Sequence, residues 1–217
     1  MLYTITMGTF WDFCAPFYDL AEKTNGRVYR EMLKTVNGLI LDGMTVLETA
    51  AGTGSISIAV SDRASRITCT DVSEKMLQVA RKKINRHGIK NITVETQSIL
   101  KLEKPDNSFD AVIAAQVLHL LDEPEKAAAE LRRVARTMVI LPISLTKNLR
   151  GMGKTGIGIY RLMGFSPKKE FTYDEYQTFI PSIGFDNCGF IHLPGKIPMA
   201  VAVWRKVNQH HGASTWR

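Results

Sequence analysis

The stretch VLETAAGTGSIS, residues 46–57, is the part of the sequence that decides the fold. An apolar run leads to the carboxylate Glu48, small residues including Gly52 and Gly54 follow, and a helix-like segment comes next. A strand, a tight turn and a helix start in this order predict the first βα unit of a parallel sheet, with a ligand at the turn. The dinucleotide fingerprint G-x-G-x-x-G has Ser57 in place of its third glycine here, so the glycines alone do not select a ligand.

The rest of the chain alternates short β-rich runs with longer helical ones. This order predicts an α/β fold with a single doubly wound, mostly parallel seven-stranded sheet, a terminal antiparallel strand pair and N-terminal helices. Strands are predicted at 44–49, 65–71, 91–96, 109–116, 137–143, 188–193 and 199–206. Helices are predicted at 55–62, 73–88, 122–136 and 172–185, and two more within 10–38. Ser73 fits an N-cap, Gly88 follows its helix, and Thr172 has capping-box spacing to Glu175.

Composition is ordinary for a globular protein: 217 residues, 45% hydrophobic and 23% charged. The longest apolar runs, such as 138–141, are too short to span a bilayer, and the N-terminus lacks the pattern of a secretory signal. The three cysteines, Cys14, Cys69 and Cys188, fit neither a disulfide framework nor a metal-ligand spacing. We therefore expect one cytoplasmic, reduced domain without a bound metal. The net charge of +7 is compatible with an anionic partner or simply with a basic soluble protein.

Polar side chains stand at the ends of successive predicted strands. Glu48 ends the first strand, Asp71 the second, Ser98 follows the third, and Gln116 ends the fourth. An acid at the end of the second strand can pair with both hydroxyls of a ribose. Ligands of such sheets bind at this edge, so the four positions together predict an adenosine pocket.

With these residues in view, the chain resembles the class I S-adenosylmethionine-dependent methyltransferases, particularly the group with small-molecule and quinone methyltransferases. The resemblance spans about residues 10–206, and four segments support it: VLETAAGTG (46–54), TDVSEKML (70–77), 105–134 and GF (184–185). The first motif of the family is usually D/E-x-G-x-G-x-G, and Ala50 stands at its first glycine here. Ser98 stands where many members carry an aspartate for the adenine amino group.

The resemblance implies S-adenosylmethionine as cofactor and a role for each matching residue. Gly52 and Gly54 would approach the methionine part beside Ala50, while Glu48 would order that loop or reach the ammonium group. Asp71 would hold the ribose, Val72 and Met76 would sandwich the adenine, Ser98 and Ile99 would lie at its edge, and Gln116 would close the methionine end. Plain core packing is the alternative for Val72 and Met76, and helix capping is the alternative for Asp71.

Methyl transfer is an in-line displacement in which a protein mainly orients and desolvates the reactants. His119 is the first candidate for a general base because its ordinary pKa lies near neutrality. Tyr18 is a second catalytic candidate, and together with Trp11 it would roof the pocket and contact substrate. Ordinary packing remains the alternative for all three.

The segment 146–169 contains no acidic residue, and we expect it to form part of an acceptor cap. Arg150, Lys154 and Arg161 would meet a carboxylate or phosphate of the acceptor, unless the segment is only a solvated basic loop. The expected organisation is one domain over 1–217: a helical cap at 10–38, a cofactor-binding core at 44–143, and the acceptor cap with closing strands at 144–206.

The predicted function is methyl transfer to an O, N, S or C nucleophile of a small molecule, such as a phenol, a quinone or a lipid headgroup. Nucleic-acid methylation is the alternative that the charge motivates, although AAQV (114–117) lacks the motif of base amino methylation. A nicotinamide oxidoreductase is disfavoured because the third glycine and a Tyr-x-x-x-Lys pair are missing. A cofactor-binding protein without activity is the remaining alternative.

Overall fold

The structure is a computed structural model that describes residues 11–12, 15, 26–149 and 167–207. In this part of the chain the strands are β1 (Thr45–Thr49), β2 (Arg66–Asp71), β3 (Ile92–Thr96), β4 (Phe109–Ile113), β5 (Ala135–Ser144), β6 (Gly189–Leu193) and β7 (Met199–Arg205). The helices are α1 (Gly26–Leu39), α2 (Ser55–Ala59), α3 (Glu74–Arg86), α4 (Pro124–Val134) and α5 (Tyr173–Ser182), with a 3-10 turn at Leu118–Leu120.

The seven strands form one sheet in the order β3-β2-β1-β4-β5-β7-β6. The pairs β1–β2, β2–β3, β1–β4 and β4–β5 are parallel, and β7 lies antiparallel between β5 and β6. The predicted fold class is confirmed. Since the chain runs outward from β1 to β3 and then returns to β4 on the other side of β1, the strand order reverses between β1 and β4. A sheet of this kind binds its ligand at such a reversal.

Each face of the sheet buries its own set of apolar side chains. In β1, Val46 packs into the cluster that includes α1 and α2, whereas its neighbour Leu47 packs into the cluster that includes α4 and α5. Both side chains are fully buried. Because neighbouring strand residues point to opposite faces, this double burial shows that β1 is a central strand covered by helices on both faces of the sheet.

Capping residues set the helix ends where the sequence predicts them. The Ser73 side chain accepts a hydrogen bond from the Met76 N–H and begins α3, and Gly88, just past its end, takes a positive φ of 67°. The Thr172 side chain and Glu175 exchange the two hydrogen bonds of a capping box at the start of α5. These local interactions are readable from sequence because both partners lie within one turn.

Several predicted boundaries differ from the structure, among them the helix predicted at 55–62, which ends at Ala59, and two of the differences have a clear physical reason. The strand predicted at 109–116 ends at Ile113, since the chain leaves the sheet and Gln116 takes a left-handed φ of 55°. The helix predicted to 136 ends at Val134, because Ala135 already belongs to β5 and is fully buried.

Only part of the two helices predicted within 10–38 can be compared. Helix α1 begins inside that range and ends one residue beyond it, at Leu39, and Trp11 and Asp12 are helical. Residues 13–14 and 16–25 lie outside the described residues, as does the tail from residue 208.

Replacing Tyr176 by Phe tests how α5 is held on the sheet. The buried Tyr176 hydroxyl donates a 2.6 Å hydrogen bond to the Leu141 carbonyl oxygen of β5. We expect Tyr176→Phe to lower the free energy of unfolding by about 1 kcal/mol, the usual net value of one such bond. Urea denaturation measures the change. Tyr173→Phe on the same helix is the matched control and keeps its ring stacked on His192; an equal loss in both variants would contradict this account.

Candidate functional site

A cleft of about 400 Å³ opens at the carboxyl ends of the strands, beside the reversal between β1 and β4. Its wall brings together residues that are far apart in sequence and that follow four different strands. Of the predicted cofactor residues, Ala50 and Gly52 line it after β1, Asp71 and Val72 at the end of β2, Met76 in α3, Ser98 and Ile99 after β3, and Gln116 after β4. Trp11 also lines this cleft, beside the predicted adenosine positions.

The turn after β1 is built from left-handed backbone. Ala50, Gly52 and Gly54 have φ values of 51°, 54° and 72°. Glycine adopts this conformation without strain, whereas an alanine is disfavoured there by its Cβ. Ala50, which stands at the position of the motif's first glycine, is therefore a strained residue on the wall of the cleft.

Gly54 is required by packing as well as by its φ. A Cβ built on Gly54 would lie 3.1 Å from the Ala80 Cβ of α3. Gly54 does not line the cleft, so its predicted approach to the methionine part stays a prediction.

Glu48 lies beneath the turn rather than on the cleft wall, and it is 2% exposed. Its Oε2 accepts a 2.7 Å hydrogen bond from the Ser57 N–H and a second, very short one from the Ser57 hydroxyl. The carboxylate thus ties the end of β1 to α2, and its predicted role toward a cofactor stays a prediction. Ser57 was not recognised as its partner from the sequence, although it occupies the position of the absent third glycine.

Asp71 joins two segments of the cleft wall. Its Oδ2 accepts a 2.8 Å hydrogen bond from the Gly52 N–H, and its Oδ1 accepts a 2.9 Å hydrogen bond from the Ser73 N–H. Burial raises the pKa of the Asp71 carboxyl above its ordinary value, and the nearby Asp12 carboxylate adds to this, while the backbone hydrogen bonds oppose it. Asp12 reaches the same place because it accepts a hydrogen bond from the Ser73 hydroxyl.

An apolar surface follows Asp71. Val72 is 51% exposed although it lines the cleft, whereas Met76 is 2% exposed and packs with Ala15. Trp11 packs against the same small cluster. An exposed valine beside buried apolar groups offers a flat ring a place to bind.

Ser98 and Ile99 form the wall after β3. The Ser98 hydroxyl oxygen accepts a 3.2 Å hydrogen bond from the Leu100 N–H, which holds this segment in a tight turn. Ile99 is buried, and Ser98 is partly exposed to the cleft.

Gln116 is held by its neighbour strand. Its Nε2 donates a 2.7 Å hydrogen bond to the Ser144 hydroxyl, and its Oε1 accepts a 2.9 Å hydrogen bond from the Ser144 N–H. Its own N–H donates to the Pro142 carbonyl oxygen. These bonds retain Gln116 in its left-handed conformation at the cleft. Ser144 lies 28 residues after Gln116 in the sequence, and no sequence pattern predicted that the two residues pair.

His119 lies in the 3-10 turn but is not among the residues that line the cleft. Its Nδ1 is buried without a hydrogen-bond partner, and burial lowers the pKa of the imidazole to about 4. The ring is therefore neutral at physiological pH. Its carbonyl oxygen accepts hydrogen bonds from the N–H groups of Lys168 and Lys169.

Lys168 brings the end of the basic segment 146–169 to the cleft. It lines the cleft, and its Nζ lies 2.9 Å from the Asp122 Oδ1. Sequence reasoning assigned this segment to a cap but did not single out Lys168. Four other residues predicted to contact substrate or to act in catalysis lie outside the described residues: Tyr18, Arg150, Lys154 and Arg161.

Within the described ranges, no group of His, Cys, Asp and Glu side chains has the geometry of a metal site. In the same part of the chain, no helix combines the length and apolar character needed to cross a bilayer.

The fold and the cleft define an α/β domain with an open cleft at its strand reversal. Residues 46–138 match the model of a family described as a methyltransferase domain.

Two curated relatives match part of the chain. A phosphatidylethanolamine N-methyltransferase of Cereibacter sphaeroides is 33% identical over 95 residues, which are 43% of this chain and 46% of that protein. A ubiquinone/menaquinone biosynthesis C-methyltransferase of Burkholderia mallei is 39% identical over 101 residues, which are 43% of this chain and 40% of that protein. In both matches the aligned region covers less than half of the relative's length.

Solved structures share the fold over most of the chain. The [4+2]-cyclase SpnF superposes with a TM-score of 0.72 at 17% identity, covering 92% of this chain and 94% of that chain. A SAM-dependent methyltransferase from Aquifex aeolicus gives a TM-score of 0.63 at 23% identity, covering 87% of this chain and 98% of that chain. At such identities the likeness shows the fold alone.

Residues 46–138 are therefore similar to a methyltransferase domain, and the fold over most of the chain is that of solved structures that include a SAM-dependent methyltransferase.

Substitution of Ala50 by Gly tests the strain in the turn after β1. We expect Ala50→Gly to raise the free energy of unfolding by about 1 kcal/mol, because glycine removes the cost of a left-handed Cβ. The neighbouring Ala51 does not have a positive φ, so Ala51→Gly should lower the free energy of unfolding. Urea denaturation of both variants measures the two opposite shifts. A loss of stability in both would show that Ala50 is not strained.

Proposed function

We propose that this protein transfers the methyl group of S-adenosylmethionine to a small-molecule acceptor. The observation that carries the proposal is the cleft at the strand reversal, where Asp71 is fixed by two backbone N–H groups beside the exposed Val72. When bound there, the cofactor would supply an electrophilic methyl group attached to a sulfonium sulfur. That sulfur would leave as a neutral thioether when the methyl group is transferred.

The described residues fit an adenosyl group. Each oxygen of the Asp71 carboxylate accepts one backbone hydrogen bond and keeps further lone pairs for a ribose hydroxyl. Val72, Met76 and Trp11 offer apolar surface for the adenine ring. The backbone at Ala50 and Gly52 would approach the methionine part, since small residues let a ligand come close.

We also propose which regions of the chain bind the cofactor and which border the acceptor. Residues 44–143 would bind the cofactor, and the regions 10–38 and 144–206 would border the acceptor, all within one domain over 1–217. Trp11 and Lys168 support this because they line the cofactor cleft from the two flanking regions.

The acceptor would be a small amphiphilic molecule such as a quinone, a phenol or a lipid headgroup. The names of the two relatives, one of a phosphatidylethanolamine N-methyltransferase and one of a ubiquinone/menaquinone C-methyltransferase, support this range. A negative charge on the acceptor would be met by Lys168 at the cleft and by Arg150 and Arg161 in the basic segment.

His119 and Tyr18 are the proposed catalytic residues. A neutral imidazole with a buried, unpartnered Nδ1 can accept a proton without first losing one, and such a polar atom calls for a functional explanation. His119 does not line the cofactor cleft. Its imidazole ring would therefore act as a base only if it faced the bound acceptor.

A methyl-transfer screen over a metabolite panel tests the function. For an accepted substrate, we expect the rate of the wild type to be constant from about pH 8 to about pH 5.5 and to fall as the pH approaches the low pKa of His119, which is about 4. His119→Gln and Tyr18→Phe should each lower kcat. Full activity in both variants would remove the catalytic assignment, and turnover of no acceptor by a protein that binds the cofactor would favour the inactive alternative.

Calorimetry with S-adenosylhomocysteine locates the cofactor site. Asp71→Ala should weaken binding at least about tenfold, since hydrogen bonds to a charged group are worth about 1.5–3 kcal/mol. Ala50→Gly is the matched change in the same wall and should alter the dissociation constant much less. The opposite order would place the site elsewhere, and absence of binding by the wild type would refute the proposed function.

A further inference from the structure

We propose that helices α1 and α3 dock this protein on the surface of a bilayer that contains anionic phospholipids. Such docking does not depend on the proposed methyl transfer, because it follows from how charge is divided between the two faces of the sheet. The net charge of +7 is not spread evenly over the helices that cover those faces. A surface of one sign attracts partners of the opposite sign.

Helices α1, α2 and α3 form one layer on a single face of the sheet. Helices α1 and α2 bury apolar side chains in the same cluster as Ile67 of β2. The Lys83 Nζ of α3 donates a 3.0 Å hydrogen bond to the Ser55 hydroxyl at the start of α2. The strands β1, β2 and β3 follow one another across the sheet, so the crossover helices α2 and α3 lie on the same side. Helices α4 and α5 pack on the opposite face.

The two helix layers differ in charge. In α1 and α3, eight Lys and Arg residues stand against two acidic residues, Glu31 and Glu74. The short helix α2 contains no charged residue. In α4 and α5, three Lys and Arg residues stand against four acidic residues. The α1–α3 layer is therefore strongly positive, whereas the opposite layer is close to neutral.

Most of the positive side chains in the α1–α3 layer are available to a partner. Arg27 and Arg81 each pair with the acidic residue of their own helix. Lys83 donates to the hydroxyls of Thr53 and Ser55. Within the described part of the chain, five others are exposed and make neither an ion pair nor a side-chain hydrogen bond: Arg30, Lys34, Lys75, Lys82 and Arg86. None of these five lines the cleft, so the cofactor site does not account for them.

The positive residues of α3 form a straight row. Lys75, Lys82 and Arg86 are separated by seven and then four residues, which places them on one side of the helix. At a rise of about 1.5 Å per residue, the row is about 16 Å long. The buried residues Leu77 and Ile84 lie on the other side. Helix α3 therefore packs with its apolar side and presents a basic side to its surroundings.

A bilayer surface fits this layer better than a nucleic acid does. Single-stranded nucleic acids bind to aromatic side chains that stack on their bases, and α1 and α3 contain one aromatic residue, the half-buried Tyr29. The major groove of duplex DNA, about 12 Å wide, admits one helix rather than a layer of three. An anionic bilayer is an extended charged plane that attracts Lys and Arg without stacking. Docking through α3 also brings the cleft close to the headgroups, because Met76 in its first turn lines the cleft.

Vesicle sedimentation tests the docking. The full chain is mixed with vesicles of phosphatidylcholine alone, and with vesicles in which about one third of the lipid is phosphatidylglycerol. The wild type should bind only to the vesicles that contain phosphatidylglycerol. Raising the salt concentration to about 1 M should release it, because ions screen the attraction between the charges.

Two triple variants of equal net charge identify the face that binds. Combining Lys75→Gln, Lys82→Gln and Arg86→Gln should lower the partition coefficient about a hundredfold, since each cation near an anionic surface contributes about fivefold. The matched control removes three exposed lysines that lie in α4 or contact α5, and it should bind nearly as well as the wild type. These control changes are Lys126→Gln, Lys147→Gln and Lys169→Gln.

Equal binding of the wild type to both kinds of vesicle, or binding to neither, would refute the docking. An α3 variant that binds like the wild type, or a control variant that loses as much, would show that the α1–α3 layer is not the docking face. Binding of a single-stranded RNA oligonucleotide without binding to the anionic vesicles would make a nucleic acid the partner instead. The substituted side chains are exposed, so both variants should fold, which an unchanged thermal midpoint checks.

Discussion

The site depends on one bridge, the Asp71 carboxylate between the N–H groups of Gly52 and Ser73. The first donor belongs to the turn after β1 and the second to the start of α3, so one buried side chain sets the spacing of two cleft walls. Parallel pairing of β1 with β2 brings Asp71 to that place, with Thr49 opposite Thr70 in the register. Burial raises the pKa of this carboxyl, and the backbone donors oppose that rise.

A second constraint is the backbone conformation at the cleft. Two residues other than glycine on its wall, Ala50 and Gln116, are left-handed, with φ values of 51° and 55°. Such strain persists only where surrounding bonds determine it. Glu48 holds Ser57 below the first position, and Ser144 holds the Gln116 side chain at the second. The wall is thus fixed by the protein itself before any ligand binds.

The sequence predicted the parts of this arrangement that are local. Alternation of apolar runs predicted the strands, caps predicted the ends of α3 and α5, and strand ends predicted Asp71, Val72 and Ser98 on one wall. It did not predict Ser57 as the partner of Glu48, Ser144 as the clamp of Gln116, or Lys168 at the cleft. These pairs form only when separate strands and loops meet, and no period or short motif encodes their meeting.

By itself, the sequence determined the class of fold and the edge of the sheet at which the cleft lies, because hydrophobic period and glycine turns act over a few residues. The tertiary structure decided which groups meet at that edge. Asp71 and Gln116 are committed to backbone N–H groups, Gly54 packs on Ala80, and Asp122 is held by Lys168. In each of these contacts the two partners belong to segments that are separate in the sequence. Only the folded chain brings each donor to its acceptor.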